Sequence, residues 1–166
     1  MNSKVLSVLI IVGLVLVIGL VILFSGISAY NKMVRLDEGV TEKWSQVENN
    51  YQRRADLIPN LVKTVRNYAE FEQETLTEVV EARAKATSVN IDPANLNAES
   101  IQQFQQAQAG LTSALSKLLV VVEKYPDLKA NQNYMDLQRQ LEGTENRISN
   151  SRRQFNEATR DYNTYI

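Results

Sequence analysis

The sequence predicts an all-α protein: an N-terminal transmembrane helix followed by an antiparallel up-and-down four-helix bundle of long helices. Three observations predict it. The run Val5–Ala29 carries no charged side chain. Beyond it, apolar residues recur every three or four positions to the end of the chain, the period of one buried helix face. Proline and glycine number only three and six in 166 residues, so few breakers interrupt the helices.

The length fits one domain plus an extension. We divide it into a leader and membrane helix over residues 1–29 and a helical-bundle domain over 30–166. Apolar content of 44% suffices for a bundle core, and a net charge of −1 leaves no electrostatic footprint for nucleic acid. The chain has no cysteine and no histidine. That excludes disulfide staples, thiolate nucleophiles, histidine bases and Cys/His zinc sites together. No glycine-rich phosphate loop or nucleophile elbow is present. No catalytic residue, metal ligand or cofactor is therefore assigned.

Lys4 and Lys32 bracket the uncharged run. As a helix it spans roughly 37 Å, against a hydrocarbon core of about 30 Å. Small residues at Ser25–Ala29 offer a cleavage signal, but a signal peptide has a shorter apolar region, so a retained single-pass anchor is favoured. Lys4 stands on one side and Lys32, Arg35 and Lys43 on the other, which leans toward a cytoplasmic C-terminal domain. Gly19 and Gly26 share a face; lone glycines tolerated in lipid are favoured over a close-packing seam. Only Gly26 interrupts Phe24–Leu36, so the span is expected to run straight into the first soluble helix.

That first helix carries Met33, Leu36, Val40, Trp44, Val47 and Tyr51 on one face. Asp56-Leu57-Ile58-Pro59 then reads as a stop and restart. One helix is expected to end near Arg54 and another to begin near Leu57, with Asp56 as cap and Pro59 in the first turn. The rival is a Pro59 kink in one continuous helix, which gives a three-helix arrangement. The capping aspartate favours the break. The second helix is expected to carry Ile58, Leu61, Val65, Tyr68, Leu76, Val79 and Ala86, fading over residues 87–90 into a loop at 91–95. Asn97 with Ser100 starts the third helix, whose rhythm is Ile101, Phe104, Gln108, Leu111, Leu115, Leu118, Val122, Tyr125. Gln108 is its one polar member, and Ala107 is expected to take its place in the core. Pro126 closes this helix. The fourth runs Tyr134, Leu137, Leu141, Thr144, Ile148, Ser151, Phe155, Ala158, Tyr162, Tyr165. Such spacing predicts crossing angles near roughly 20°.

Four groups of residues invite a chemical reading. Arg53 and Arg54 with Asp56 suit a contact with a partner or lipid headgroup, but the local reading is preferred: the arginines bond the last carbonyls of the preceding helix and Asp56 caps the next. Glu70, Glu72, Glu74, Glu78 and Glu81 suggest a metal or acid/base site. The bundle di-metal pattern needs histidine, so a solvated face pairing with Arg83 and Lys85 is preferred, and a hydrolase is the least favoured function. Trp44 and the tyrosines at 51, 68, 125, 134 and 162 are read as core rather than a ligand slot. The glutamines at 102, 103, 105, 106 and 108 are read as an exposed helix face rather than a packing surface for another polypeptide.

At this point the chain resembles the LemA family of bacterial membrane proteins. The matching residues are Tyr30-Asn31, Trp44, Arg53-Arg54-Ala55-Asp56-Leu57-Ile58-Pro59-Asn60-Leu61-Val62, Val80-Glu81-Ala82-Arg83-Ala84, Tyr125-Pro126 with Leu128-Lys129-Ala130-Asn131, Gln140–Ile148 and Tyr162-Asn163. The resemblance implies a single N-terminal membrane helix, a helical-bundle domain, and no established enzymatic activity. It also implies a short N-terminus outside the cell, relatives encoded beside a membrane-embedded metalloprotease, and one branch in magnetosome formation. The family pattern continues past Tyr162-Asn163 into a Phe-Pro-containing tail that these residues do not include.

The functional expectation is a non-enzymatic scaffold or adaptor, single-pass in the bacterial inner membrane. It is expected to meet the lipid bilayer and either further copies of itself or another membrane protein. The alternative is a regulator or sensor acting with a membrane protease under envelope stress.

Overall fold

The structure, a computed structural model, describes residues 3–69, 72–93 and 96–166, with side-chain surroundings from residue 11 onward. Among these it contains helices and no strand: α1 (Ser3–Arg66), α2 (Gln73–Ser88), α3 (Ala98–Val122), α4 (Pro126–Lys129) and α5 (Gln132–Tyr165). The chain falls into two compact units, Thr41–Glu157, and Met1–Val40 with Ala158–Ile166.

The apolar run and the first soluble helix are one element, as the missing breakers predict: α1 is a single helix of 64 residues. It is the one helix among the described residues long and apolar enough to cross a membrane. Its large apolar side chains from Ile11 to Ile27 are exposed.

The expected break at Asp56–Pro59 does not occur. Pro59 lies inside α1, which continues to Arg66. A proline there lacks the N–H that would bond the carbonyl four residues back, at Ala55. Ala55 is buried, so its freed carbonyl needs another donor. Arg83 of α2 supplies it, Nε donating to the Ala55 oxygen at 2.8 Å. Either side of Pro59, Tyr51, Ala55, Ile58, Leu61, Val62 and Val65 keep one stripe buried, and that burial carries the helix through. Asp56 caps nothing: it is exposed and accepts from Gln52 Nε2 one turn back at 2.8 Å.

The stop comes after Arg66 instead. Val65 O accepts the amides of Tyr68 (3.0 Å) and Ala69 (2.9 Å), which closes the last turn. Lys63 and Arg66 sit there, where positive charge suits the helix dipole. The residues expected on one second helix are thus divided. Ile58, Leu61 and Val65 belong to α1, Leu76, Val79 and Ala86 to α2, and Tyr68 is exposed in the connection.

α3 starts as its sequence predicts. The Asn97 side chain accepts from the Ser100 amide at 2.9 Å and the Ser100 hydroxyl accepts from the Asn97 amide at 3.3 Å, a reciprocal capping box. α3 ends at Val122, and Pro126 opens the single turn of α4. Asn131 Oδ1 then accepts from the Tyr134 amide at 3.0 Å at the start of α5. Within Thr41–Glu157 one apolar core draws on every helix: Ile58 and Leu61 of α1, Leu76 and Val79 of α2, Leu111 and Leu118 of α3, Leu128 of α4 and Leu137 of α5.

Candidate functional site

The chemical centre of the Thr41–Glu157 unit is Arg54, only 1% exposed. It sits on the core stripe of α1, one turn after Tyr51 and one before Ile58, so the helix points it inward. Nη1 donates to Glu145 Oε1 of α5 at 2.6 Å and to Thr112 Oγ1 of α3 at 2.9 Å. Nη2 donates to Gln108 Oε1 at 2.7 Å and to the Gln108 carbonyl at 3.3 Å. Gln108 Nε2 passes the chain on to the Ala86 carbonyl of α2 at 3.2 Å. The guanidinium lies 5.1 Å from the Tyr51 ring centroid, and its Nε makes no hydrogen bond. One cation thus ties four helices. Burying it is tolerable because a carboxylate and three neutral oxygens replace its water. The Glu145 side chain remains 48% exposed, so the pair meets solvent on the α5 side.

This overturns the local reading of Arg54, which bonds no terminal carbonyl. It also overturns the reading of Gln108: the glutamine is buried and Ala107 is only half-buried. Both residues fall on otherwise apolar stripes. Two polar residues on facing stripes, one cationic and one amide, were the available signal for a buried polar link.

Beside this network stands an aromatic cluster. Trp44 packs edge-on against Phe104 (5.3 Å) and Phe155 (5.1 Å), and Tyr51 against Phe104 (5.1 Å). Trp44, Tyr51 and Tyr134 are core, as read from spacing, and Tyr125 and Tyr162 are half-buried. Burial lifts the Glu48 carboxyl above its ordinary range, while the Trp44 indole N–H and the Ile91 backbone N–H pull the other way. The indole N–H reaches no partner at ordinary hydrogen-bond distance and angle. Glu48, Gln52, Thr87, Asn90 and Gln108 line a polar cleft of about 290 Å³.

A second polar groove, about 660 Å³, runs between Asn60, Lys63 and Tyr68 on one side and Asn131, Asp136 and Gln140 on the other. Asn131 Nδ2 donates to Tyr68 Oη at 2.9 Å across it. Nearby, the half-buried Tyr125 hydroxyl donates to Glu72 Oε1 at 3.1 Å. Burial and then this carboxylate raise the Tyr125 phenol above its usual value. Tyr134 is raised by burial first, then by Glu123 and Glu142.

The sequence-selected residues separate accordingly. Arg54 and Trp44 are buried; Pro59 and Arg83 meet through the Ala55 carbonyl; Asn60 shares the second groove with Asn131. Arg53, Asp56, Tyr30, Asn31, Pro126 and Asn163 are exposed. Of the acidic run, Glu70 lies outside the described residues. Glu72 takes the Tyr125 hydroxyl, and Glu78 pairs with Lys117 at 2.5 Å rather than with Arg83 or Lys85. Among the described residues no three acidic side chains converge as a metal would require. The chemistry on view is hydrogen bonding and packing that fixes helices against one another.

The chain is 28% identical over 156 residues to magnetosome protein MamQ of Magnetospirillum gryphiswaldense, covering 82% of this chain and 57% of that protein. It is 27% identical over 156 residues to magnetosome protein MamQ 2 of Paramagnetospirillum magneticum, with the same coverage of 82% and 57%. It is 23% identical over 139 residues to protein LemA of Metamycoplasma hominis, covering 82% and 58%. The chain thus spans a little over half the length of these relatives. The LemA family profile matches residues 43–166, from the residue before Trp44 through the Arg54, Pro59 and Arg83 motifs to the end of α5, and the chain belongs to that family.

Proposed function

We propose that this protein is a membrane-anchored, non-enzymatic scaffold whose helices form an antiparallel up-and-down four-helix bundle. It stands in the bacterial inner membrane and presents the bundle to further copies of itself or to a membrane partner. One observation carries the reading: a single helix, α1, holds both the uncharged exposed run and a face of the apolar core. The short connections between successive helices support the up-and-down path. The Arg54 network supports a structural rather than reactive interior. The relatives' names, which assign them to the magnetosome and name no reaction, support a structural rather than an enzymatic reading.

The test is the assembly state of the full-length chain in lipid nanodiscs, measured by native mass spectrometry. The expected result is more than one copy per particle, or a stoichiometric membrane protein. A strictly single copy with no co-purifying protein overturns the proposal.

A further inference from the structure

In the unit Met1–Val40 with Ala158–Ile166, α5 ends beside the point where the uncharged run of α1 stops. The Tyr165 hydroxyl donates to the Ala29 carbonyl at 3.2 Å. The Lys32 ammonium lies 4.6 Å from the Tyr165 ring centroid, over its face. Ala29 is the last aliphatic residue before Tyr30-Asn31, and Lys32 is the first charge beyond them. Along the helix axis, Tyr30 and Lys32 stand roughly 1.5 and 4.5 Å past Ala29. A phenol ring, an ammonium and a second, 63% exposed tyrosine therefore share one level, within a turn of the apolar boundary.

Charge is ordered about that level. On α1 the cations Lys32 and Arg35 come first, and the carboxylates Asp37 and Glu38 follow farther out. On α5 the last charges, Arg160 and Asp161, pair with each other at 3.7 Å. Beyond them, Tyr162-Asn163-Thr164-Tyr165-Ile166 carry no charged side chain. Rings with one apolar and one polar end settle at the headgroup level of a bilayer, with cations toward the phosphates.

We propose that residues 162–166 of α5 make a second membrane contact, seated in the phospholipid headgroup layer beside the exit of α1. Tyr30 and Tyr165 anchor at the interface, and Lys32 and Arg35 face the lipid phosphates. The proposal rests on reading the uncharged run of α1 as a membrane anchor and extends it: the chain meets the bilayer twice.

The native chain has no cysteine, so single nitroxide labels test this directly in the full-length protein. Thr164→Cys, Val17→Cys and Ser113→Cys are labelled and reconstituted into vesicles of phosphatidylethanolamine and phosphatidylglycerol. Each label is then exposed to oxygen and to a water-soluble nickel chelate. Bilayer immersion lowers nickel relaxation and raises oxygen relaxation, whereas shielding by protein lowers both. The expected result is a label at 164 between those at 17 and 113, with nickel relaxation reduced and oxygen relaxation kept. If the label at 17 is immersed while 164 matches 113, or loses both relaxations, the second contact is overturned and the anchor stands. If the label at 17 is as open to nickel as that at 113, anchor and contact fall together.

Discussion

Arg54 sets the energetic terms of the core at the scale of a single residue. A buried guanidinium gives up hydration worth several kcal/mol, and holds its place only because its partners return it. Removing the cation leaves the buried Gln108 side chain short of a donor and opens a cavity the length of an arginine. Arg54→Ala is therefore expected to cost about 3–5 kcal/mol, the range for breaking a buried pair. Glu145 is half exposed, so water replaces its carboxylate, and Arg54 keeps Thr112 and Gln108. Glu145→Ala is expected to cost about 2 kcal/mol, the scale of one charge-assisted hydrogen bond. Denaturant unfolding of the full-length protein in detergent, followed by circular dichroism, gives both values. Equal losses would show that the carboxylate, not the guanidinium, is the tie. Only half of this site was legible in the sequence. The position of Arg54 on the stripe of Tyr51 and Ile58 marks it as inward-facing, but nothing in the spacing of α5 selects Glu145, which sits on the solvent side of its helix.

At the scale of the element, a local rule met a tertiary correction. α3 and α5 follow from three-four spacing because nothing opposes it, and Asn97 starts α3 because its capping box is complete within four residues. The end of α1 was misplaced for the opposite reason. Asp56 and Pro59 satisfy every local criterion for a boundary, yet the donor that compensates for Pro59 is Arg83, 28 residues from the Ala55 carbonyl it serves. No window along the chain contains both. The coupling is measurable. Pro59→Ala restores the missing helical N–H and is expected to stabilise the protein by about 1–3 kcal/mol, up to the full propensity difference. Arg83→Ala in the native background leaves a buried carbonyl unpaired and is expected to cost about 1–3 kcal/mol. In the Pro59→Ala background the same change is expected to cost about 1 kcal/mol less, because the restored amide at position 59 donates to the Ala55 carbonyl. An identical cost in both backgrounds would mean that Arg83 acts by packing alone.

For the whole molecule, the helical class and the continuity of the uncharged run with the first soluble helix were legible because both depend on what the chain lacks: breakers between Phe24 and Leu36, and charge between Lys4 and Lys32. The side of the membrane that holds the core is set by a small difference between counts. Lys32, Arg35 and Lys43 follow the span and Lys4 precedes it, and cations within about 15–20 residues of a span are retained on the cytoplasmic side. The same two nearest cations, Lys32 and Arg35, are those placed against the lipid phosphates, so one pair of side chains bears on both sidedness and headgroup contact. The expectation is a cytoplasmic core. A single cysteine at Ser3 and, separately, at Ser113 distinguishes the sides in intact cells treated with a membrane-impermeant maleimide. Ser113 is exposed on α3, so its silence in intact cells and its labelling after permeabilisation would report sidedness rather than burial. Labelling at 3 alone places the partners among cytoplasmic proteins and inner-leaflet lipid. Labelling at 113 alone places the core outside. The Lys32–Arg35 pair would then contribute to interfacial binding without determining orientation.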